Sequence, residues 1–161
     1  MPSTSRRTLI AGSLGGLVAA VGGGMAWTAY VTREHVRFRP LRAVNESDEP
    51  AELVVTVVDE SGDADDEVHE PTLAPAGETG HTATLRGRSV SYPAPYGVTA
   101  RSGRESAGGD GDGNRELDLP NAEIVDRHPE IGWGSDDVRV TVVVEVDGTL
   151  SARVGEPRER Y

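Results

Sequence analysis

Oxygen-bearing side chains alternate in Asp110-Gly111-Asp112-Gly113-Asn114, and alternate oxygen ligands open many calcium loops. An EF-hand then needs Gly at its sixth position and Glu at its twelfth. Arg115 and Asn121 stand there, so that motif fails. What remains is a looser cation site helped by Glu116 or Asp118, set against the simpler reading of a solvated loop. A second acidic stretch gathers Asp59, Glu60, Asp63, Asp65, Asp66 and Glu67. Hard divalent cations accept such ligands, but adaptation of the surface to salt explains the same residues without a ligand. His35, His69, His81 and His128 have no histidine partner two or four positions away, so zinc or copper would require the fold to gather them. Ser106, in Gly103-Arg104-Glu105-Ser106, lacks the Gly-x-Ser-x-Gly setting of a hydrolase nucleophile. The Gly-rich segments carry no phosphate-binding lysine, and no spacing supports a general acid–base pair. The sequence therefore assigns no catalytic, cofactor-binding or metal-binding residue, implies no cofactor, and is not read as an enzyme. Trp133, between Gly132 and Gly134, is read as a plug at one end of the fold rather than an exposed contact.

Composition narrows the classes further. The chain has 161 residues, with 27 acidic against 16 basic and a net charge of −11; every basic residue is arginine. It has no cysteine, which removes disulfides, thiolate zinc sites, thiol catalysis and blue-copper ligation. Aromatics are 4% with a single Phe, too few for base- or sugar-stacking platforms. The negative charge opposes nucleic-acid binding. An acidic, lysine-free composition resembles that of proteins from salt-loving archaea. Screening lengths fall to ~3 Å at 1 M salt, so dense carboxylates repel one another little while keeping the surface hydrated.

The elements that would position these residues read as strands. Beyond residue 33 the apolar residues come in short Val-rich runs separated by Gly, Pro, Asp and Ser, with no helical periodicity over two turns. That pattern signifies a β-sandwich or barrel. Strands are expected at 36–44, 52–58, 68–73, 81–85, 96–101, 138–146 and 149–154. Pro40 marks an edge or a bulge in the first of them. In 52–58, Leu53, Val55 and Val57 share one face, while Val54 and Val58 make the other apolar too, as in a central strand covered on both sides for part of its length. A turn is expected at 45–50, a loop at 59–67 and a long flexible loop at 102–116. Val138, Val140, Val142, Val144 and Val146 line one face of the cleanest strand. A two-residue turn at 147–148 would set this face against polar residues, because opposed residues share a face. A three-residue loop, Val146-Asp147-Gly148, instead opposes Val144 to Leu150 and Val142 to Ala152, with Gly148 left-handed and a bulge.

The first 32 residues read as a separate unit. Ser5-Arg6-Arg7-Thr8-Leu9-Ile10 precedes an uncharged run over residues 9–31, long enough to span a membrane. This resembles a twin-arginine export signal, in which Arg6 and Arg7 are the receptor-read address. The glycine content of the run fits that resemblance. The small-residue spacing of Gly12, Gly16, Ala20 and Gly24 is read as a by-product of that glycine content. Trp27 and Tyr30 fall where an interfacial belt would sit. An uncleaved anchor is favoured; the alternative is a secreted protein cleaved near Gly24-Met25-Ala26. Arg33, Arg37, Arg39 and Arg42 follow the run, so flanking charge does not fix orientation. The export resemblance implies a domain, residues 33–161, outside the cytoplasmic membrane.

Three phrases resemble immunoglobulin-like and fibronectin-type-III-like adhesion modules. They are Leu53-Val54-Val55-Thr56-Val57-Val58-Asp59, Leu73-Ala74-Pro75-Ala76-Gly77-Glu78-Thr79 and Tyr96-Gly97-Val98-Thr99-Ala100. The likeness spans residues 36–154 loosely and implies an all-β antiparallel sandwich of about seven strands with no catalytic residues. The reading is an N-terminal hydrophobic helix carrying a non-catalytic interaction or structural module of the cell envelope. Its partners would be the membrane, through residues 9–31, and an unidentified envelope protein, with no nucleic acid. A homo-oligomer is allowed but has no support in the sequence. The alternative is an envelope protein binding a small ligand or divalent cation through residues 59–67 and 110–118.

Overall fold

A computed structural model describes residues 34–102, 115–128 and 136–156. The export signal with Arg6 and Arg7, the expected span at 9–31, the Gly/Asp loop from 103 to 114, and Trp133 lie outside the described residues. So does the expected N-terminal helix.

Nine strands and two short helices follow in order among the described residues. They are β1 Val36–Asn45, β2 Ala51–Asp59, β3 Glu67–His69, β4 Thr72–Leu73, β5 Thr82–Leu85, α1 Arg88–Ser91, β6 Tyr96–Ser102, β7 Glu116–Leu119, α2 Asn121–Arg127, β8 Asp136–Val144 and β9 Leu150–Gly155. One sheet has the order β5-β1-β8-β9; the other runs β3-β2-β6-β7, with β4 also on β2. A single core cluster draws residues from both sheets, and the Phe38 and Tyr96 rings meet across it with centroids 5.7 Å apart. The chain is thus mostly β, in two sheets that share one apolar interior.

Alternation explains why these segments are strands. Val36, Phe38, Leu41 and Ala43 of β1, Leu53, Val55 and Val57 of β2, and Val138, Val140 and Val142 of β8 are all 2% exposed or less. Each such side chain contributes about 1.5–3 kcal/mol by leaving water. In β1 the inward positions change from even to odd numbers between Phe38 and Leu41. The register against β8 slips at the same place, where Arg39 and Pro40 oppose a single residue. This is a bulge, one of the places a sheet accommodates a proline.

Two expectations about the strand plan need correction. β1 and β8 pair in parallel, so the sheets are not wholly antiparallel. β1 and β2 lie in different sheets, which brings β8 beside β1 in the same direction. Strands number nine rather than about seven, because residues 68–73 divide into β3 and β4 and because β7 follows the Gly/Asp loop. Glu116–Leu119 escapes notice because only Leu117 and Leu119 are apolar. Helices α1 and α2 are too short to show periodicity. On β2, Val54 and Val58 are half-buried, so its second face is covered in part.

The β8–β9 hairpin follows the parity argument. Val144 opposes Leu150 and Val142 opposes Ala152. The Glu145 N–H donates to Thr149 O at 2.8 Å, leaving Val146, Asp147 and Gly148 as the loop. Gly148 has φ +81°, a conformation L side chains resist. Val146, at the tip, is 74% exposed and so leaves the valine face that the sequence assigned to it.

Two ends can now be distinguished. The proximal end holds the start of β1, α1, α2 and the loop after β2. The distal end holds the β1–β2 turn, the β4–β5 turn, the end of β6 and the β8–β9 hairpin. Asn45 locks the distal end while fully buried. Its Nδ2 donates to Glu49 O (2.7 Å) and Ala74 O (2.9 Å), and its Oδ1 accepts the Ser47 N–H at 3.0 Å.

Candidate functional site

The acidic stretch from Asp59 to Glu67 lies at the proximal end, and its carboxylates do different work. Glu67 accepts the Ser89 N–H (2.8 Å) and the Ser89 hydroxyl (2.9 Å), tying the first turn of α1 to β3. His69 Nε2 stands 3.8 Å from the same carboxylate. Gly87 is required beside it, because a Cβ there would lie 2.1 Å from Glu67 Oε2. Glu60 accepts the Asn121 N–H at 2.7 Å, satisfying a donor that the start of α2 leaves open. Asp59 is buried; its Oδ1 accepts the N–H and hydroxyl of Ser61. Asp63, Asp65 and Asp66 are exposed, as is Glu60, whose carboxylate is engaged by Asn121. This loop is therefore built as much to close the sandwich as to meet a ligand.

Tyr96 adds an unusual group to this corner. It is 2% exposed, and its hydroxyl has no hydrogen-bond partner of normal geometry among the described residues. Burial pushes the phenol above its ordinary pKa; Arg88 opposes the shift, and Asp59 and Glu67 add to it.

The histidines stay dispersed. His81 Nδ1 is 2.7 Å from Glu78 O in the distal turn. His128 is 9% exposed at the end of α2, and neither ring nitrogen has a partner among the described residues. No group of three or more His, Asp or Glu side chains there has the arrangement of a metal site. Glu116 and Asp118, offered as helpers to a calcium loop, lie on β7 with outward-facing side chains. Residues 110–114 and Ser106 are outside the described residues.

The distal end carries an open, polar cleft of about 390 Å³, lined by Ser47, Glu49, Ser102, Arg115, Val144 and Asp147 among others. Thr149 holds the Asp147 carboxylate through its N–H (3.0 Å) and hydroxyl (2.7 Å). Those two hydrogen bonds, the hydroxyl's first, put Asp147 below the usual carboxylate range. A smaller groove of about 160 Å³ crosses the outer face of the β2-β6-β7 sheet at Thr56, Thr99 and Arg101.

The outer faces of the two sheets differ in charge. On the β5-β1-β8-β9 sheet, the positions alternating with the core carry Arg37, Arg39, Arg42, Arg139 and Arg153, with Asp137, Glu46 and Glu145. Arg37 meets Asp137 at 2.6 Å and Arg39 meets it at 3.4 Å. Arg153 forms a two-pronged pair with Glu46 at 2.7 and 2.8 Å. That hydrogen bond holds the Glu46 carboxyl below its ordinary range and raises the guanidinium. Arg139 donates to Glu156 O at 2.9 Å. On the other sheet, Arg101 shares the outer face with Glu52, Glu116 and Asp118.

The chain matches no protein-family profile, no curated protein and no solved structure. No helix among the described residues is long and apolar enough to cross a membrane. The sequence reading missed the structural use of Glu60, Glu67 and Asn45, since partners so distant in sequence leave no local trace. The arginine face did leave one: Arg37 and Arg39 alternate with Val36 and Phe38.

Proposed function

We propose that the chain is a non-catalytic interaction or structural module of the cell envelope. A two-sheet domain, residues 33–161, is carried by an N-terminal segment, residues 1–32. The observation that carries this reading is where the domain begins. β1, a central strand, starts at Val36, directly behind the uncharged run at 9–31 that follows Arg6-Arg7. Residues 32–35 alone separate the two. A central strand so close to the run argues for one continuous device, an anchor bearing a domain outside the cytoplasmic membrane.

The kinship to immunoglobulin-like and fibronectin-type-III-like modules belongs to this proposal in its two-layer plan. The parallel β1–β8 pair gives this domain a strand order of its own. Binding to an envelope protein would run through the distal turns, which point away from the anchor. The alternative, cation or small-ligand binding by residues 59–67, has fewer free ligands than the sequence suggested, since Asp59, Glu60 and Glu67 are already engaged.

Membrane fractionation with N-terminal sequencing of the native protein tests the reading. An intact N-terminus in the membrane pellet, with the domain cut by protease added outside, is the expected result. A start near Trp27 in the medium would replace the anchor with a cleaved signal. A soluble cytoplasmic protein would end the proposal.

A further inference from the structure

We infer that the outer face of the β5-β1-β8-β9 sheet docks on an anionic lipid surface through Arg39, Arg42, Arg139 and Arg153. The inference rests on the anchored reading above and names the surface this domain meets.

The first ground is charge against its background. A chain of net charge −11 gathers five of its arginines on one sheet face, where only Asp137, Glu46 and Glu145 oppose them. The opposite outer face carries Glu52, Glu116 and Asp118 with Arg101 alone. The arginines sit at the levels of residues 37, 39 and 42 along β1, from its proximal end to just past its middle. Glu46 and Glu145 lie at its distal margin. The domain is therefore polarised across its thickness.

The second ground is what remains unspent. Arg42, in the middle of the face between Thr84 and Thr141, has no ion-pair partner among the described residues, and its Nε is buried without a hydrogen bond. Arg139 is engaged through a backbone carbonyl, which leaves its charge uncancelled. Arg39 and Arg153 are paired with Asp137 and Glu46, but their side chains are 41% and 57% exposed, and a phosphate can compete for such exposed pairs. Guanidinium suits phosphate because its planar fork donates two parallel hydrogen bonds.

The third ground is reach. Residues 32–35 span at most ~14 Å, so an anchor ending at residue 31 holds the start of β1 close to the headgroups. The exposed Asp63, Asp65 and Asp66 lie at the same end but in the β2–β3 connection, on the other sheet. A domain standing on its proximal end would press these carboxylates against lipid phosphates. One lying on its arginine face turns them away.

The test uses the full chain in vesicles of phosphatidylcholine alone and of phosphatidylcholine mixed with phosphatidylglycerol. Flotation reports the anchor. Phenylglyoxal modification, mapped by peptide mass, reports the face. The expected result is flotation with both vesicles, and modification of Arg42, Arg139 and Arg153 slowed about tenfold or more by phosphatidylglycerol only. Arg101, on the opposite face, should be unaffected. Each arginine near an anionic surface contributes roughly fivefold in partitioning, so Arg42→Gln with Arg139→Gln should abolish the protection of Arg153. An unchanged melting temperature would verify that this variant folds. Flotation without protection overturns the docking and leaves the anchor standing. Protection with phosphatidylglycerol in a chain that fails to float on phosphatidylcholine overturns the anchor and leaves the docking. Equal protection by both lipids, or protection by soluble polyglutamate but not by vesicles, overturns the lipid assignment.

Discussion

At the residue scale, positions that look like spare chemistry turn out to hold the structure in place. Gly97 illustrates this: a Cβ there would lie 2.7 Å from Glu60 Oε1 and 3.4 Å from Leu119 O. Gly97→Ala must displace the carboxylate that receives the Asn121 N–H, at a cost of about 1–3 kcal/mol, measurable by urea denaturation. Asn45→Ala removes a buried side chain that joins two turns, and should cost about 2–4 kcal/mol in the same assay. Tyr96 behaves oppositely. Its hydroxyl has no hydrogen bond of normal geometry to lose, only the Arg88 guanidinium nearby, so Tyr96→Phe should leave stability at neutral pH within about 1 kcal/mol. The folded-state pKa is raised, so the unfolded chain gives up this proton first. The stability involved is intact below the ordinary phenol range near 10 and lost as pH rises through the folded-state value. Thermal melts above pH ~10 should therefore fall less steeply for Tyr96→Phe than for the parent. None of these roles was legible in the sequence, because Glu60 and Asn121, or Asn45 and Ala74, are far apart in the chain. What could be read was the type of each inward residue, since Leu53, Val55 and Val57 declare their face by alternation alone.

Elements were more legible than residues wherever geometry was local. The hairpin after β8 follows from parity because strand faces alternate strictly and the loop must restore that alternation. Its consequence is sharp: deleting Thr141 from within β8 shifts the parity of every residue before it and turns Val138 and Val140 outward. Circular dichroism should then show a broadened or absent cooperative melt. Val146 and Val144 separate the same point into two substitutions. Val146→Asp, at an exposed tip, should stay within about 0.5 kcal/mol. Val144→Asp, at a 5% exposed position, should cost more than ~3 kcal/mol. The elements that escaped were β7, α1 and α2. Each is too short for periodicity to accumulate, and tertiary contacts hold each in place: β6 for β7, Glu67 for α1, Glu60 for α2.

For the whole molecule, topology was the least legible feature, since nothing local tells β1 that its neighbour will be β8 in parallel. Charge is also a whole-molecule property. Self-repulsion at −11 penalises the compact state and is screened by salt, so the melting temperature should rise as sodium chloride is added. The proposed export belongs to the same scale: on that proposal, Arg6→Lys with Arg7→Lys should leave the domain inaccessible to external protease. The placement of β1 has a mechanical corollary. A tether at residue 34 and a load on the far turns would pull this strand along its own length. Its neighbours β5 and β8 hold it by rungs set across the line of tension. Such rungs must give way together rather than one after another, so the fold would bear a tug as a bolt in shear does, and its lifetime under load would follow a slow unfolding rate.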